Sequence, residues 1–208
     1  NKTINNIKNL GFFSATDAEV QPGSQFNSKI INFSVEEKAT GEISLGAGTG
    51  TSGATIGFGV KENNFLGKGI NLDAFATITE ETAKGKFSVK NPNFRNSDKS
   101  ITTSIEALEI DRTSSTGYKT NKTGFSFGTN FEFYDDLNLG LGISNFYEKI
   151  ETDSTASALQ KTQDGNYWDS FLAVNFDYDK RNQKFQTTDG FRSYYSVNLP
   201  MLSDTGTL

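Results

Sequence analysis

The chain has no cysteine and no histidine, and only three of its 208 residues are proline. Without cysteine there is no disulfide framework, no thiolate metal site and no cysteine nucleophile, although an oxidising compartment stays open. Without histidine the usual general base and the commonest zinc ligand are missing, which excludes His-dependent hydrolysis. No apolar run approaches the roughly 18 residues that a membrane helix needs. Residues 1–10 hold no apolar signal-peptide segment, so the chain reads as mature or truncated. Positive charge is also in short supply: 20 Lys and Arg face 25 Asp and Glu, a net charge of −5. Nucleic acid, which calls for a basic face against its phosphates, is therefore not an expected partner.

What is present is unusual for a water-soluble core. The chain carries 18 Phe and 20 Gly, yet its mean hydropathy is −0.51. A disordered chain would lack the phenylalanines. A membrane β-barrel reconciles the two, because only alternate residues face lipid while the others face a polar lumen.

The first forty residues differ from the rest. Ile4, Ile7 and Leu10 recur at a spacing of three ahead of Gly11, which predicts a helix over Lys2 to Leu10. Phe12 to Gln21 and Lys29 to Glu37 read as two strands with Pro22, Gly23 and Ser24 opening the turn between them. From Gly41 onward period two dominates. Ile43, Leu45 and Ala47 alternate with Ser44, Gly46 and Gly48; Ala54, Ile56, Phe58 and Val60 alternate with Thr55, Gly57, Gly59 and Lys61. The pattern continues through Ile70 to Ile78, Phe87 and Val89, and Ser100 to Ile110. Phe125, Phe127, Phe131 and Phe133 then share a face, as do Leu137, Leu139, Leu141 and Ile143; Trp168, Leu172, Val174, Phe176 and Tyr178; and Phe191, Tyr195, Val197 and Leu199. That predicts about nine strands in a mainly β, antiparallel transmembrane barrel, incomplete because single-chain bacterial barrels close with an even count.

Aromatic residues near strand ends, namely Phe133, Tyr134, Phe146, Tyr147, Tyr167, Trp168 and Tyr178, are expected to form interfacial girdles. If the strand at Glu42 rises from the periplasm, Thr51 and Ser52, Asp111 to Thr120 and Glu151 to Asn166 are external. Glu62 to Gly69, Tyr134 to Asp136 and the unusually long Asp179 to Asp189 are then periplasmic.

Several ordered motifs resemble the BamA family of outer-membrane barrel-assembly factors. They are Leu10-Gly11-Phe12-Phe13, then Glu36-Glu37 and Thr40-Gly41 before a Gly-rich strand; Asn64-Phe65-Leu66-Gly67-Lys68-Gly69; Asn91-Pro92-Asn93-Phe94; and Tyr178-Asp179 through Phe185 to Thr188-Asp189-Gly190. In the last, Thr187 stands where the family usually has proline, so that turn is expected to be less rigid. The resemblance implies that residues 1–40 are the C-terminal part of an α/β POTRA module in the periplasm and residues 41–208 the N-terminal part of a barrel in the bacterial outer membrane. It further implies a non-enzymatic insertase without cofactor, whose partners are outer-membrane lipid, unfolded β-barrel clients and periplasmic lipoprotein subunits. The seam strand that receives the client would be Glu42, Ile43, Ser44, Leu45, Gly46, Ala47, Gly48 and Thr49. Lipid-facing positions would include Phe125, Phe127, Phe131, Phe133, Leu139, Leu141, Leu172 and Val174. A related translocator or passive pore, or a small structural barrel, are the competing readings.

Other motifs read as structural. Gly46, Gly48, Gly50 and Gly53 superficially match a phosphate loop, but no helix follows them. Asp135, Asp136, Asp177 and Asp179, two of them turn residues and two next to a turn, are expected to be solvated carboxylates. The sequons at Asn1 and Asn121 are disregarded, since a bacterial outer membrane would not normally read them.

Overall fold

In the computed structural model the described residues are Ile4, Ile7, 10–25, 27–50, 53–182 and 187–203. Strand β1 (Phe13–Pro22) and strand β2 (Lys29–Glu37) form an antiparallel hairpin of their own. The other strands are β3 (Gly41–Gly50), β4 (Gly53–Phe65), β5 (Ile70–Ile78), β6 (Thr82–Asn91), β7 (Ser100–Arg112), β8 (Tyr118–Tyr134), β9 (Leu137–Thr152), β10 (Gly165–Asp179) and β11 (Arg192–Ser203). These nine make one antiparallel sheet in strict chain order, with β3 and β11 at its two edges.

The registers sort the side chains onto two faces, because residues directly opposite one another in a ladder point the same way. On one face Ile105 lies across from Phe125, Phe127 from Ile143, and Phe131 from Leu139. Leu172 then sits between Ile143 and Leu199, and Val174 between Leu141 and Val197. On the other face Ser88, Ser104, Ser126 and Ser144 form a continuous row, followed by Thr102, Gly128, Gly142 and Ala173. The period-two alternation is thus expressed across all nine strands.

What the sheet lacks is a core. Ala156 is the one buried apolar side chain among the described residues, while Leu45 is 79% exposed and Phe125 48% exposed. A sheet this wide cannot leave an entire apolar face in water. The face needs an apolar solvent.

Several local features depart from the sequence expectations. The helix predicted over Lys2 to Leu10 lies largely outside the described residues, although Ile4 and Ile7 are helical and the Leu10 N–H donates to the Ile7 carbonyl at 3.2 Å. Thr51, Ser52 and Phe185 also lie outside them. The loops expected at Asp111 to Thr120 and Glu151 to Asn166 are shorter, because β7 runs on to Arg112, β8 begins at Tyr118, β9 ends at Thr152 and β10 begins at Gly165. Lys119 bridges Glu109 at 3.0 Å and Asp111 at 3.2 Å, and Lys149 bridges Glu151 at 2.7 Å. These polar pairs continue the ladder beyond the apolar stretch, where no alternation in hydropathy marks a strand.

The two loops that remain at this end are fastened together. Thr113–Thr116 forms one helical turn, and Gly117 follows in the left-handed region with φ of 68°. A Cβ at Gly117 would lie 2.5 Å from the Ala156 nitrogen, so only glycine fits. The Asp153 N–H donates to the Gly117 carbonyl at 2.8 Å, and Ser157 caps a short helix, Ala158–Lys161, in a reciprocal arrangement with Gln160. The Thr155 hydroxyl and N–H both donate to the Asp153 carboxylate, which holds its pKa below the ordinary 3.8.

Not all the aromatic residues near strand ends occupy the apolar face. Tyr147 and Trp168 do, with ring centroids 5.1 Å apart. Phe146 and Tyr167 project to the polar face instead. Phe146 stands opposite Gly124 and folds over it: a Cβ there would meet Phe146 Cδ1 at 2.2 Å. An aromatic ring covering a cross-strand glycine fills the space that the missing side chain leaves.

Candidate functional site

Strand β3 pairs only with β4, so one of its two backbone edges is free among the described residues. Its apolar residues Ile43, Leu45 and Ala47 lie across from Val60, Phe58 and Ile56. On the opposite face Gly46 pairs with Gly57, and Ser44 with Gly59. A Cβ built at Gly46, Gly48 or Gly50 would have nothing within 4 Å. This corner of the sheet is therefore a backbone ribbon with one apolar side and almost no side chains on the other.

The base of the strand is fixed by polar contacts. The Thr40 hydroxyl donates to Glu62 Oε1 at 2.5 Å, and the Asn64 N–H donates to the same oxygen at 2.6 Å. The Asn63 N–H and side-chain amide both donate to the Thr40 carbonyl, at 3.3 and 3.2 Å. Glu42 and Thr49 bound the strand, with Glu42 across from Lys61, which in turn approaches Asp73 at 3.8 Å. Further along, the Ser44 hydroxyl donates to the Gly59 carbonyl at 3.4 Å.

Seven of the eight positions expected to face lipid project to the apolar face. Phe125, Phe127, Phe131, Leu139, Leu141, Leu172 and Val174 follow the regular register. Phe133 is the extra residue of a β-bulge between Glu132 and Tyr134, where two residues oppose Leu137, and its ring meets Tyr134 at 4.9 Å.

The described residues flanking the long turn after β10 make ion pairs that the sequence does not suggest. The carboxylates of Asp177 and Asp179, expected to be simply solvated, are each held by a guanidinium: Arg192 grips Asp177 at 2.7 and 2.8 Å, and Arg181 grips Asp179 at 2.7 Å through two nitrogens. Such forked contacts fix geometry as well as charge. The Asp179–Lys180–Arg181 spacing could have suggested one pair; nothing local announces that Arg192 reaches Asp177. Asp135 and Asp136 remain in the tight turn, Asp136 with φ of 65°.

Comparison with known proteins gives this geometry a family. The Omp85 superfamily domain matches residues 64–204. The chain belongs to the Omp85 superfamily. Over 143 residues it is 27% identical to the outer membrane protein assembly factor BamA of Neisseria meningitidis serogroup B, a match covering 65% of this chain and 18% of that protein. Among solved structures, BamA from Haemophilus ducreyi lacking POTRA domains 1–3 superposes with a TM-score of 0.69 at 20% identity, over 96% of this chain and 41% of that one. CdiB from Acinetobacter baumannii superposes at 0.47 with 8% identity. The nine-stranded sheet is thus a fragment of a BamA-like barrel, and the family supports an outer-membrane location. The chain spans less than half the length of the relatives it matches.

Proposed function

We propose that this Omp85 chain is part of a non-enzymatic insertase of the bacterial outer membrane, and that it receives unfolded β-barrel clients at the free edge of β3. The observation that carries this reading is the bare polar side of β3, where a Cβ at Gly46, Gly48 or Gly50 would have nothing within 4 Å. In hydrocarbon an unpaired backbone group costs several kcal/mol, so an exposed row of N–H and C=O groups at membrane depth is a template for a further strand. The residues from Glu42 to Thr49 form that template, and β-augmentation is the mode of recognition. Strong hydrogen bonding on the β4 side, an anchored base and a polar face without bulk would let the partner strand exchange. The apolar face, with Phe125, Phe127, Phe131, Leu139, Leu141, Leu172 and Val174, faces lipid.

On this reading residues 1–40, including the β1–β2 hairpin, belong to a periplasmic POTRA module, and periplasmic lipoprotein subunits are partners of the complete assembly. A translocator built on the same sheet would use the barrel as a conduit and leave its seam shut. Cysteine pairs placed between β3 and the closing strand of the full-length protein separate the two. Oxidation should stop client assembly and reduction should restore it; normal assembly by the locked protein would rule out the seam and favour the conduit.

A further inference from the structure

One row of the apolar face holds polar residues between apolar ones. Read across the ladder from β6 to β11 it runs Phe87, Ile105, Phe125, Asn145, Ser170 and Leu202. Asn145 and Ser170 stand opposite each other on β9 and β10, and the Ser170 hydroxyl donates to Asn145 Oδ1 at 2.5 Å. Apolar groups surround the pair. The exposed side chains of Phe125 and Leu202 flank it along the row. Two residues toward one end of the strands lie Ile143 and Leu172, and two residues toward the other lie Tyr147 and Trp168, whose ring centroids are 5.1 Å apart.

The ladder does not need this pair, since β9 and β10 keep one register through it and beyond it. The amide oxygen of Asn145 and the hydroxyl of Ser170 serve each other, but the two N–H groups of the amide have no acceptor among the described residues. Toward hydrocarbon an unmatched amide donor is costly, so an acceptor at this depth has to come from outside the sheet. Depth indicates which one. Aromatic rings at a membrane interface sit at headgroup level. Tyr147 and Trp168 are two residues away, about 5 Å along the membrane normal at 3.3 Å per residue and a tilt near 40°. The amide therefore lies just inside the headgroups, where a diacyl lipid carries its ester carbonyls. Those carbonyls accept hydrogen bonds and have no donor of their own.

We propose that Asn145 and Ser170 form a lipid-binding site on the outward face of β9 and β10, at which the Asn145 amide donates to an ester carbonyl of a diacyl lipid. Ser170 is the positioning residue: by holding Oδ1 it leaves the amide nitrogen as the end that meets the lipid. Phe125, Ile143, Leu172 and Leu202 keep water from competing for the same donors, which makes the bond stronger than it would be in water. The lipid phosphate lies with the rings of Tyr147 and Trp168, one step further out, so the carbonyl is the acceptor within reach. The inference rests on the lipid-facing assignment made under Proposed function and adds to it a fixed point of contact.

Two vesicle preparations that differ only in the acceptor test this: diacyl phosphatidylcholine, and dialkyl phosphatidylcholine of the same chain length, whose ether links carry no carbonyl. The full-length parent protein should unfold roughly threefold to tenfold faster in the dialkyl vesicles. Asn145→Leu points outward and removes no backbone bond of the ladder, so it should fold in both, and its two unfolding rates should agree within about twofold. A parent ratio near one, or the same ratio in parent and variant, overturns the carbonyl contact. A nitroxide at Phe125→Cys, in the same row, reads the surrounding medium separately through its accessibility to oxygen and to a water-soluble nickel chelate. This segment has no cysteine of its own to compete. The label should favour oxygen. Oxygen access beside a failed lipid comparison overturns the lipid site alone, whereas nickel access overturns the lipid face and the site together. Protection from both reagents also overturns the site, in favour of a protein neighbour.

Discussion

The edge strand β3 and the interior strands β8 to β10 are built to different standards. Strands β8, β9 and β10 are 17, 16 and 15 residues long, whereas β3 is 10. The long strands carry cross-strand partners on both faces: phenylalanines and leucines on one, and on the other Phe146 over Gly124, Phe171 nearby, and the Asp177–Arg192 pair at the turn. On its polar side strand β3 has cross-strand side-chain contacts only near its base, at Glu42 and Ser44, and none from Gly46 onward. Since sheet stability resides in such pairs, each worth about 0.2–1 kcal/mol, β8 to β10 are expected to be held more firmly than β3. Under the proposed function the long strands serve as a persistent wall and β3 as the exchanging edge of one continuous ladder.

The largest effect that could break this comparison comes from the wall. Phe127→Arg places a cation on the apolar face near mid-membrane and should destabilise by about 2–4 kcal/mol, while Asn130→Arg on the polar face should lose less. Refolding titrations in lipid vesicles measure both. Equal losses would mean that the two faces have been assigned wrongly.

Glycine substitutions sharpen the contrast between wall and edge. At Gly124 a new Cβ would meet Phe146 Cδ1 at 2.2 Å and the Asn145 carbonyl at 2.7 Å, so Gly124→Ala must displace backbone or ring. A loss of about 1–3 kcal/mol is expected from such overpacking. Gly46→Ala meets nothing within 4 Å and should be neutral or stabilising by about 0.5 kcal/mol, since the strand backbone loses less entropy. Chemical unfolding in a bilayer of fixed composition compares them. A costly Gly46→Ala would show that the polar side of β3 is already occupied.

The smallest effect is local and depends on pH. The folded pKa of Asp153 lies below its ordinary 3.8, chiefly because the Thr155 hydroxyl donates to it. Its contribution is therefore fully present above that ordinary value and disappears as pH falls through the lower folded one. Amide exchange at Thr155 should accelerate over this acid window, while exchange within β8 and β9 stays unchanged. Asp153→Asn should remove the dependence.

The period-two rhythm made the nine strands legible in the sequence, because hydropathy alternates wherever one face meets an apolar medium. It failed above Thr123, where Lys119, Asn121 and Lys149 continue the ladder with polar residues on both faces. Phe146 was misleading for a related reason: an aromatic residue near a strand end looks the same whether it lines a membrane interface or covers a glycine across the ladder. The ion pairs of Asp177 and Asp179 were hidden because one partner arrives from the far side of a long turn. The free edge of β3 could be anticipated only through family resemblance, since no property of Glu42 to Thr49 reveals which neighbour a strand has.

Strand order also bears on how the sheet is made. Each strand from β3 to β11 lies beside the strand next to it in the chain, so every pairing closes a loop of modest length. Loop-closure entropy grows only with the logarithm of loop length, and short closures are quick. The ladder can therefore grow hairpin by hairpin along the polypeptide, with no distant segment needed before the next strand is added. The whole search over long sequence separation is deferred to the single event that would join β3 to a strand far along the chain, and that event is where assembly of this protein should be slowest.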